Sequence, residues 1–265
     1  MKYIGAILYI QKLTISKTMW IVLLIFTIII IWYLSVHPDF VIVNGSITQT
    51  TFLGHTDDGT TQVRDNYILY MLLLLLMGFF IISNIVPVLL HRDNAEVILL
   101  KPLSRFEIFI CSYIVGLSFI GIIFFILFAG IWFLMGIQYG YWNTNYITGF
   151  LIILYLIAIL YAYVVLIGLL SRSGGITVLF SFILGFVLPI TLEVRERFLY
   201  PLFESDVANR IIDGIYYILP PTADLLGMSV NVTFFEPVTL FQLWNGIAVI
   251  PLLTISVYYY KNISF

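Results

Sequence analysis

Six stretches of about 20 consecutive, mostly apolar residues constrain what this chain can fold into more than any other feature. A helix that crosses the hydrocarbon core of a bilayer needs about 20 such residues, because it must satisfy all of its backbone hydrogen bonds internally. Apart from Glu107, near the start of one stretch, the six contain no charged residue. The predicted membrane-spanning helices cover residues 19–36, 67–90, 106–136, 147–170, 174–192 and 241–260.

The composition agrees with this prediction, since 62% of the residues are hydrophobic and 10% are charged, against about 25% charged in soluble domains. It excludes a soluble enzyme, a disordered chain and a secreted disulfide scaffold. The net charge of −2 gives no reason to expect a nucleic-acid partner. Cys111 is the only cysteine, so no intrachain disulfide can form. We predict an all-α, polytopic membrane protein with a single transmembrane domain over residues 1–265.

The distribution of lysine and arginine predicts the orientation, because cytosolic loops of membrane proteins carry an excess of both. With the amino terminus in the cytosol, twice as many basic residues lie inside as outside. The eight inside are Lys2, Lys12, Lys17, Arg92, Lys101, Arg105, Arg172 and Lys261, and the four outside are Arg64, Arg195, Arg197 and Arg210. We therefore predict a multi-pass protein of the cell (cytoplasmic) membrane with both termini in the cytosol.

The segment before the first span, residues 1–18, has polar or small residues at steps of three and four, as in Lys2, Gly5, Tyr9 and Lys12. This spacing places them on one face of an otherwise apolar helix. We predict an amino-terminal helix that lies in the cytosolic membrane interface. The alternative is a cytosolic extension of the first span.

The first outer connection contains Asn44-Gly45 between β-favouring residues, which predicts a two-residue hairpin turn. His55, Asp57 and Asp58 follow and could be ligands for a cation. No second His or Cys stands at ligand spacing, however, so we assign no metal site to this loop.

The inner connection between spans two and three contains two capping boxes, in which residues three apart satisfy each other's backbone N–H groups. Asp93 and Glu96 form the first, so that a short helix should begin near Asn94 and end near Lys101, before Pro102. Ser104 and Glu107 form the second and begin the third span. We predict a short, rigid cytosolic helix that can transmit force from a partner to two spans. The alternative is that these caps merely end two spans and begin a turn.

The outer segment, residues 193–240, follows a span that contains Pro189, which favours a kink because proline lacks a backbone donor. Apolar and polar side chains then alternate with helical spacing up to Pro220-Pro221. One face carries Val207, Ile211, Ile215 and Ile218, and the other carries Asp206, Asn209, Arg210 and Asp213. This amphipathic helix either lies on the outer membrane surface or folds back partly into the protein as a lid.

The sequence does not indicate that this bundle carries out proton transfer or nucleotide hydrolysis by itself. The span interiors have no ionisable residue of the kind that proton relays use. The sequence also contains no Gly-Lys pair, and therefore no phosphate loop. A bundle of this kind with a rigid cytosolic helix indicates that its energy arrives from another polypeptide.

At this point the sequence resembles the permease subunits of type 2 ATP-binding-cassette (ABC) exporters. The likeness covers nearly the whole chain and is most specific in the first cytosolic loop, where Glu96 is followed by Val-Ile-Leu-Leu-Lys-Pro-Leu-Ser-Arg. The amino-terminal helix, the Ser171-Arg172-Ser173 turn and the Tyr216-Tyr217-Ile218-Leu219-Pro220 run are similar as well.

The resemblance implies a transport subunit with no cofactor of its own, in which two permeases, identical or related, pair in the membrane and bind two cytosolic ATPases that hold ATP and Mg. The loop residues would contact or position the ATPase, the polar residues of spans two and five would line the path, and the segment after Pro189 would form an outer gate. The implied coupling residues are Arg92, Asp93, Asn94, Glu96, Lys101, Pro102, Ser104 and Arg105, the path candidates are Ser83, Asn84 and Ser181, and the gate residues are Pro189 and Pro220. The alternative function is a membrane scaffold or receptor that recruits partners through its loops and transports nothing.

Overall fold

In the residues that it describes, the computed structural model is mostly helical, with a small sheet between α1 and α2. The structure describes residues 10, 17–36, 39–43, 46–52, 55–83, 85–90, 103–140, 142–203, 205–234, 247 and 249–262. The elements are α1 (Lys17–Val36), β1 (Asp39–Val43), β2 (Ser46–Phe52), β3 (His55–Asp58), α2 (Gly59–Ile82), α3 (Ile85–Leu90), α4 (Arg105–Tyr139), α5 (Asn145–Ser171), α6 (Gly174–Phe182), a π-helical turn (Ile183–Val187), α7 (Leu188–Glu193), α8 (Arg195–Phe198), a 3-10 turn (Tyr200–Leu202), α9 (Asp206–Ile218), α10 (Thr222–Phe234) and α11 (Val249–Asn262).

In the described residues, four helical segments are long and apolar enough to cross a membrane. They match the second to fifth predicted spans, and they indicate an integral membrane protein. Their bounds are Met71–Val88, Arg105–Leu134, Asn145–Ser171 and Gly174–Glu193. In α1 the apolar part is shorter, Met19–Trp32, and of the sixth predicted span the structure describes Ile247 and the 14-residue α11. A count of six spans therefore stays a prediction.

Two predicted helices lie outside the described residues. The predicted interfacial helix at residues 1–18 falls there except for Ile10, which is helical, and for the beginning of α1. The predicted cytosolic helix at residues 91–102 falls there entirely.

The hairpin that Asn44-Gly45 predicts is confirmed. Strands β1 and β2 pair in antiparallel fashion, with Val43 opposite Ser46, so two residues connect them. Strand β3, which the sequence analysis did not predict, adds to the other edge of β2 and gives the order β1-β2-β3. Asp57 and Asp58, considered above as cation ligands, lie in this strand opposite Thr50 and Gln49.

Helix α5 lies at the centre of the bundle and contacts α4, α6, α10 and α11. Many of its side chains are fully buried, among them Leu156, Leu160 and Tyr161. The Tyr161 ring fills the space beside Gly116 of α4, where a β-carbon would collide with it. Glycine at this position therefore lets the two helices approach around a buried aromatic ring.

Four segments meet at one end of the bundle, which we call the base. A β-carbon on Gly168, near the end of α5, would lie 3.1 Å from Cβ of Val86 in α3. At the start of α4, Arg105 Nη1 donates to the backbone oxygen of Lys261, near the end of α11, at 3.0 Å. The connection from α3 to α4, which carries the predicted coupling residues, therefore leaves and re-enters the bundle at its base.

Candidate functional site

The amphipathic helix predicted after Pro189 is present as α9, and it folds back against the bundle. The Tyr163 hydroxyl of α5 donates a hydrogen bond to the backbone oxygen of Ile218, at the end of α9. Helix α10 then runs back along α5, and we call α9 and α10 together the folded-back hairpin. At 1.5 Å per residue, Tyr163 lies about 12 Å from the end of α5 at Ser171 and about 27 Å from its start at Asn145. The tip of the hairpin, residues 218–222, therefore lies beside the interior of the fourth predicted span and not at either of its ends.

A proline supplies the attachment point for that tip. Pro189 has no N–H to donate to the carbonyl of Gly185, four residues before it, and the helix widens into a π-helical turn at Ile183–Val187. The freed Gly185 oxygen accepts a hydrogen bond from the Thr222 hydroxyl at 2.5 Å. Thr222 directly follows Pro220-Pro221, which end the preceding segment. The hydrogen bond between Thr222 and Gly185 thus joins the two segments that contain the predicted gate residues, Pro220 and Pro189.

Helix α10 is held along α5 by buried polar side chains as well as apolar ones. Ser229 Oγ donates to the Gly149 oxygen at 3.2 Å, and Thr233 Oγ1 donates to the Ser229 oxygen at 2.7 Å. Leu225 and Val230 of the same helix are fully buried. Sequence analysis did not predict α10, because its apolar and polar residues alternate without a clear helical face.

A charged cluster joins the start of the hairpin to the end of the fifth predicted span. Arg195 Nε donates to Asp213 Oδ1 at 2.8 Å, and the Tyr200 hydroxyl donates to the same oxygen at 2.5 Å. These two donors, Tyr200 first and then Arg195, lower the pKa of Asp213. The pairing of Asp213 is therefore complete above the ordinary carboxyl pKa and is lost only as the pH falls further.

Tyr216 lies next to this cluster, between two further carboxyl groups. Its hydroxyl oxygen is 2.8 Å from Glu193 Oε2 and 2.7 Å from Asp224 Oδ2. The Arg195 guanidinium lies over its ring, 3.9 Å from the centroid. Burial first, and then the two carboxyl groups, raise the pKa of Tyr216, so the phenol keeps its hydrogen. Three elements, α7, α9 and α10, meet at this one hydroxyl group.

The apolar face of α9 stays uncovered by the described residues. The exposed fractions of Val207 and Ile218 are 68% and 67%, and Ile211 and Ile215 are exposed as well. The polar side of the helix, with Asp213 and Tyr216, makes the contacts to the bundle. Helix α9 is therefore attached through polar groups and presents its apolar face outwards.

Two of the three residues predicted to line a translocation path, Ser83 and Ser181, are buried in the interior of the bundle. Ser83 is fully buried at the end of α2, where its hydroxyl donates to the Phe80 oxygen at 2.8 Å. Ser181 is also fully buried, and its hydroxyl has no hydrogen-bond partner in the part of the chain that the structure describes. Their two helices pack together, because the rings of Phe80 and Phe182 stack at 6.3 Å. Asn84 lies outside the described residues.

Of the predicted coupling residues, the structure describes Ser104 and Arg105. The second capping box is confirmed, since Ser104 N donates to Glu107 Oε2 at 2.6 Å and Glu107 N donates to Ser104 Oγ at 3.3 Å. Residues 91–102, which contain the remaining coupling residues, lie outside the described part. The predicted loop is therefore anchored at its exit to the base of the bundle.

Within the described ranges, no group of three or more His, Cys, Asp or Glu side chains could hold a metal ion. No protein-family model, curated protein or solved structure matches this chain.

Replacing Thr222 by valine tests the proline-created attachment point. Valine keeps the shape of threonine but leaves the Gly185 oxygen buried without its donor, which costs about 1–3 kcal/mol. We expect the apparent unfolding temperature of the purified protein to fall by several degrees. Thr191→Val is the matched control, because its exposed hydroxyl donates only within its own helix, to Leu188 O. Equal effects of the two substitutions would show that the Gly185 carbonyl is not an anchor.

Proposed function

We propose that this chain is the membrane-spanning permease subunit of an ABC exporter, which forms the translocation path and is driven by separate cytosolic ATPase subunits. The observation that carries the proposal is the folded-back hairpin. Its tip is fixed by the bond from Tyr163 of α5 to the Ile218 oxygen and by the bond from Thr222 to the Gly185 oxygen, while the apolar face of α9 is uncovered. A segment inserted in this way between predicted spans can close a path when it is docked and open the path when it moves.

The base of the bundle supports the proposal that separate cytosolic ATPase subunits drive the chain. The loop with the predicted coupling residues begins after α3 and ends at the Ser104–Glu107 capping box. Force on this loop would act directly on α4, the longest described helix, with 35 residues. Since α4 packs against α5, and α5 holds the hairpin, a push at the base has a continuous route of packed helices to the opposite end.

In this proposal ATP and Mg bind only to the ATPase, and the loop residues that contact or position it are Asp93, Asn94, Glu96, Lys101, Ser104 and Arg105. A second permease, identical or related, completes the path beside Ser83 and Ser181. Pro189 and Pro220 act on the outer gate through the Gly185–Thr222 hydrogen bond. Each role rests on the family resemblance stated above, and each can be tested by substitution.

Glu96→Arg tests the predicted contact with the ATPase. We expect a tagged wild-type chain, solubilised in mild detergent, to retain a Walker-motif ATPase encoded beside it, and the variant to lose at least tenfold of it. The reason is that a reversed charge in an interface costs several kcal/mol. Glu196→Arg is the matched control, because this exposed residue of α8 lies beyond the end of the fifth predicted span, away from the base.

The same preparation separates this proposal from its rival. If the chain is a scaffold or receptor, nucleotide hydrolysis in the reconstituted assembly responds to no candidate substrate. Transport by the purified chain with no ATPase bound, or full retention of the ATPase by Glu96→Arg, would overturn the permease proposal.

A further inference from the structure

A groove of about 380 Å³ lies between α4 and α5 on the outside of the bundle. Its volume is within the range of about 300–1,000 Å³ that is usual for ligand pockets. The two helices come close at Gly121, where an added β-carbon would lie 3.1 Å from Leu154 Cδ1. Ser118, the polar residue of the lining, donates its hydroxyl hydrogen to the Val115 oxygen of its own helix at 3.1 Å. The groove therefore offers mainly apolar contacts to an occupant. Its walls are formed by Ile114, Leu117, Ile122 and Phe125 of α4 and by Phe150 and Leu154 of α5.

The groove lies along two helices that are long and apolar enough to cross a membrane. Side chains at its rim are exposed, among them Ile114, Ile122 and Phe125. From Ile114 to Phe125 the groove extends about 16 Å along α4, at 1.5 Å per residue. This length is about half of the hydrocarbon thickness of a bilayer, which is about 30 Å. The groove therefore has the length of one leaflet, and so of one lipid acyl chain.

A basic residue lies at the level where the groove begins. Helix α1 runs parallel beside α4. Trp20 packs edge-on against Phe119, with ring centroids 4.4 Å apart. The same number of residues further along both helices, a β-carbon on Gly130 would lie 2.6 Å from Ile31 Cδ1. Lys17 is exposed and precedes Trp20 by one turn on the same side of α1. This register places Lys17 at the level of the end of the groove that is nearer the base.

The charge of Lys17 distinguishes between two occupants of such a groove, a second copy of the chain and a lipid. Two copies in one membrane have the same orientation, so their two-fold axis runs along the membrane normal. Both Lys17 side chains would then meet the interface at the same depth and repel each other. An anionic lipid instead brings a phosphate to the lysine and an acyl chain to the groove. The cytosolic leaflet, where Lys17 is predicted to lie, carries such lipids. Charge complementarity therefore favours a lipid.

We propose that the groove between α4 and α5 is a binding site for one acyl chain of an anionic phospholipid, whose phosphate is held by Lys17. The bound chain covers the exposed apolar side chains at the rim of the groove, and the headgroup connects α1 to the pair α4 and α5. The site goes beyond the proposed function, because it needs neither an ATPase nor a transported substrate. It also lies on other helices than Ser83 and Ser181, beside which the second permease is proposed to pack.

Native mass spectrometry of the purified full-length chain tests this site. The chain is incubated in detergent with equal amounts of phosphatidylglycerol and phosphatidylcholine that carry the same acyl chains, and the lipids that stay bound to each chain are counted. We expect one phosphatidylglycerol per chain, preferred over phosphatidylcholine by about fivefold, because one basic residue at the membrane surface attracts an anionic lipid by about this factor.

Substitutions separate the headgroup contact from the chain contact. Lys17→Gln should make the two lipids bind equally, whereas Lys17→Arg keeps the charge and should retain the preference. Ser118→Phe fills the groove and should reduce the binding of both lipids severalfold. Arg197→Gln is the matched control for the charge, because this exposed arginine also lies over an aromatic ring but away from the base. Ile137→Phe is the control for the groove, since Ile137 is 62% exposed on α4 beyond it. Both controls should bind lipid as the wild type does.

Two results with lipid would overturn the site, namely equal binding of the two lipids by the wild type and an unchanged preference in Lys17→Gln. A lipid-free dimer that Ser118→Phe separates would overturn it as well, and would make the groove an interface between copies. None of these results concerns retention of the ATPase, so the permease proposal is tested separately by Glu96→Arg.

Discussion

Replacing Gly149 with alanine is expected to lower the free energy of unfolding by about 1–3 kcal/mol, the usual cost of overpacking, and to detach α10 from α5. The added β-carbon would collide with the Thr233 hydroxyl, lie 3.1 Å from the backbone oxygen of Ser229 and approach Phe128 to 3.2 Å. The threonine side chain can rotate, but the backbone oxygen moves only with its helix. The expected result is a lower apparent unfolding temperature together with faster protease cleavage within residues 219–234.

Gly227→Ala is the matched control for this prediction. Gly227 lies in α10 itself, and an added β-carbon there meets nothing within 4 Å. Alanine is favoured over glycine in a helix interior by up to about 1 kcal/mol, so this variant should be equally stable or more stable. If both alanine variants behaved alike, the close approach of α10 to α5 would not matter for the hairpin.

The second large effect concerns Tyr161 and Gly116, which fill one space in the core. Tyr161 is fully buried, and its ring stacks on Tyr113 with centroids 5.1 Å apart. Truncating a buried aromatic side chain to alanine typically costs about 3–5 kcal/mol, and we expect Tyr161→Ala to fall in this range. Gly116→Leu should also be strongly destabilising, because its β-carbon would enter the ring.

The double variant distinguishes a shared space from two independent defects. With the ring gone, the leucine at position 116 occupies the void, so the combined loss should be smaller than the sum by about 0.5–3 kcal/mol. Chemical or thermal unfolding of all four proteins in one detergent measures this difference. Gly175→Ala combined with Tyr161→Ala serves as the control pair and should be additive, since Gly175 has no neighbour within 4 Å. Additivity of both pairs would refute the shared space.

How far the sequence predicts this fold depends on whether a signal is local. Stretches of apolar residues specify the candidate spans two to five, because a helix in hydrocarbon needs only its own backbone partners. The hairpin signal of Asn44-Gly45 and the Ser104–Glu107 box are equally local, and the structure shows the paired strands β1 and β2 as well as the box. The amphipathic pattern from Val207 to Ile218 likewise predicts α9.

The direction in which the outer segment folds back could not be predicted in this way. It depends on Thr222 reaching the Gly185 oxygen and on Tyr163 reaching Ile218, pairs that are 37 and 55 residues apart in sequence. One local sign was available, since a proline at position 189 leaves the carbonyl at position 185 without its helical donor. Which hydroxyl group donates to that carbonyl oxygen depends on tertiary packing and not on the local sequence. The contacts of Tyr216 are missed for the same reason, because Glu193, Tyr216 and Asp224 are far apart in sequence and come together only where α7, α9 and α10 meet.

The attachment of α10 has a consequence for the order in which the molecule is assembled. Its partners in the bundle, α2, α5 and α7, all precede it along the chain, and the Gly185 oxygen becomes available as soon as the helix around Pro189 has formed. A protein chain emerges from the ribosome with its amino-terminal parts first, so the binding site for α10 is complete when α10 is made. The hairpin can therefore dock during synthesis, before α11 is made and packs against α4 and α5.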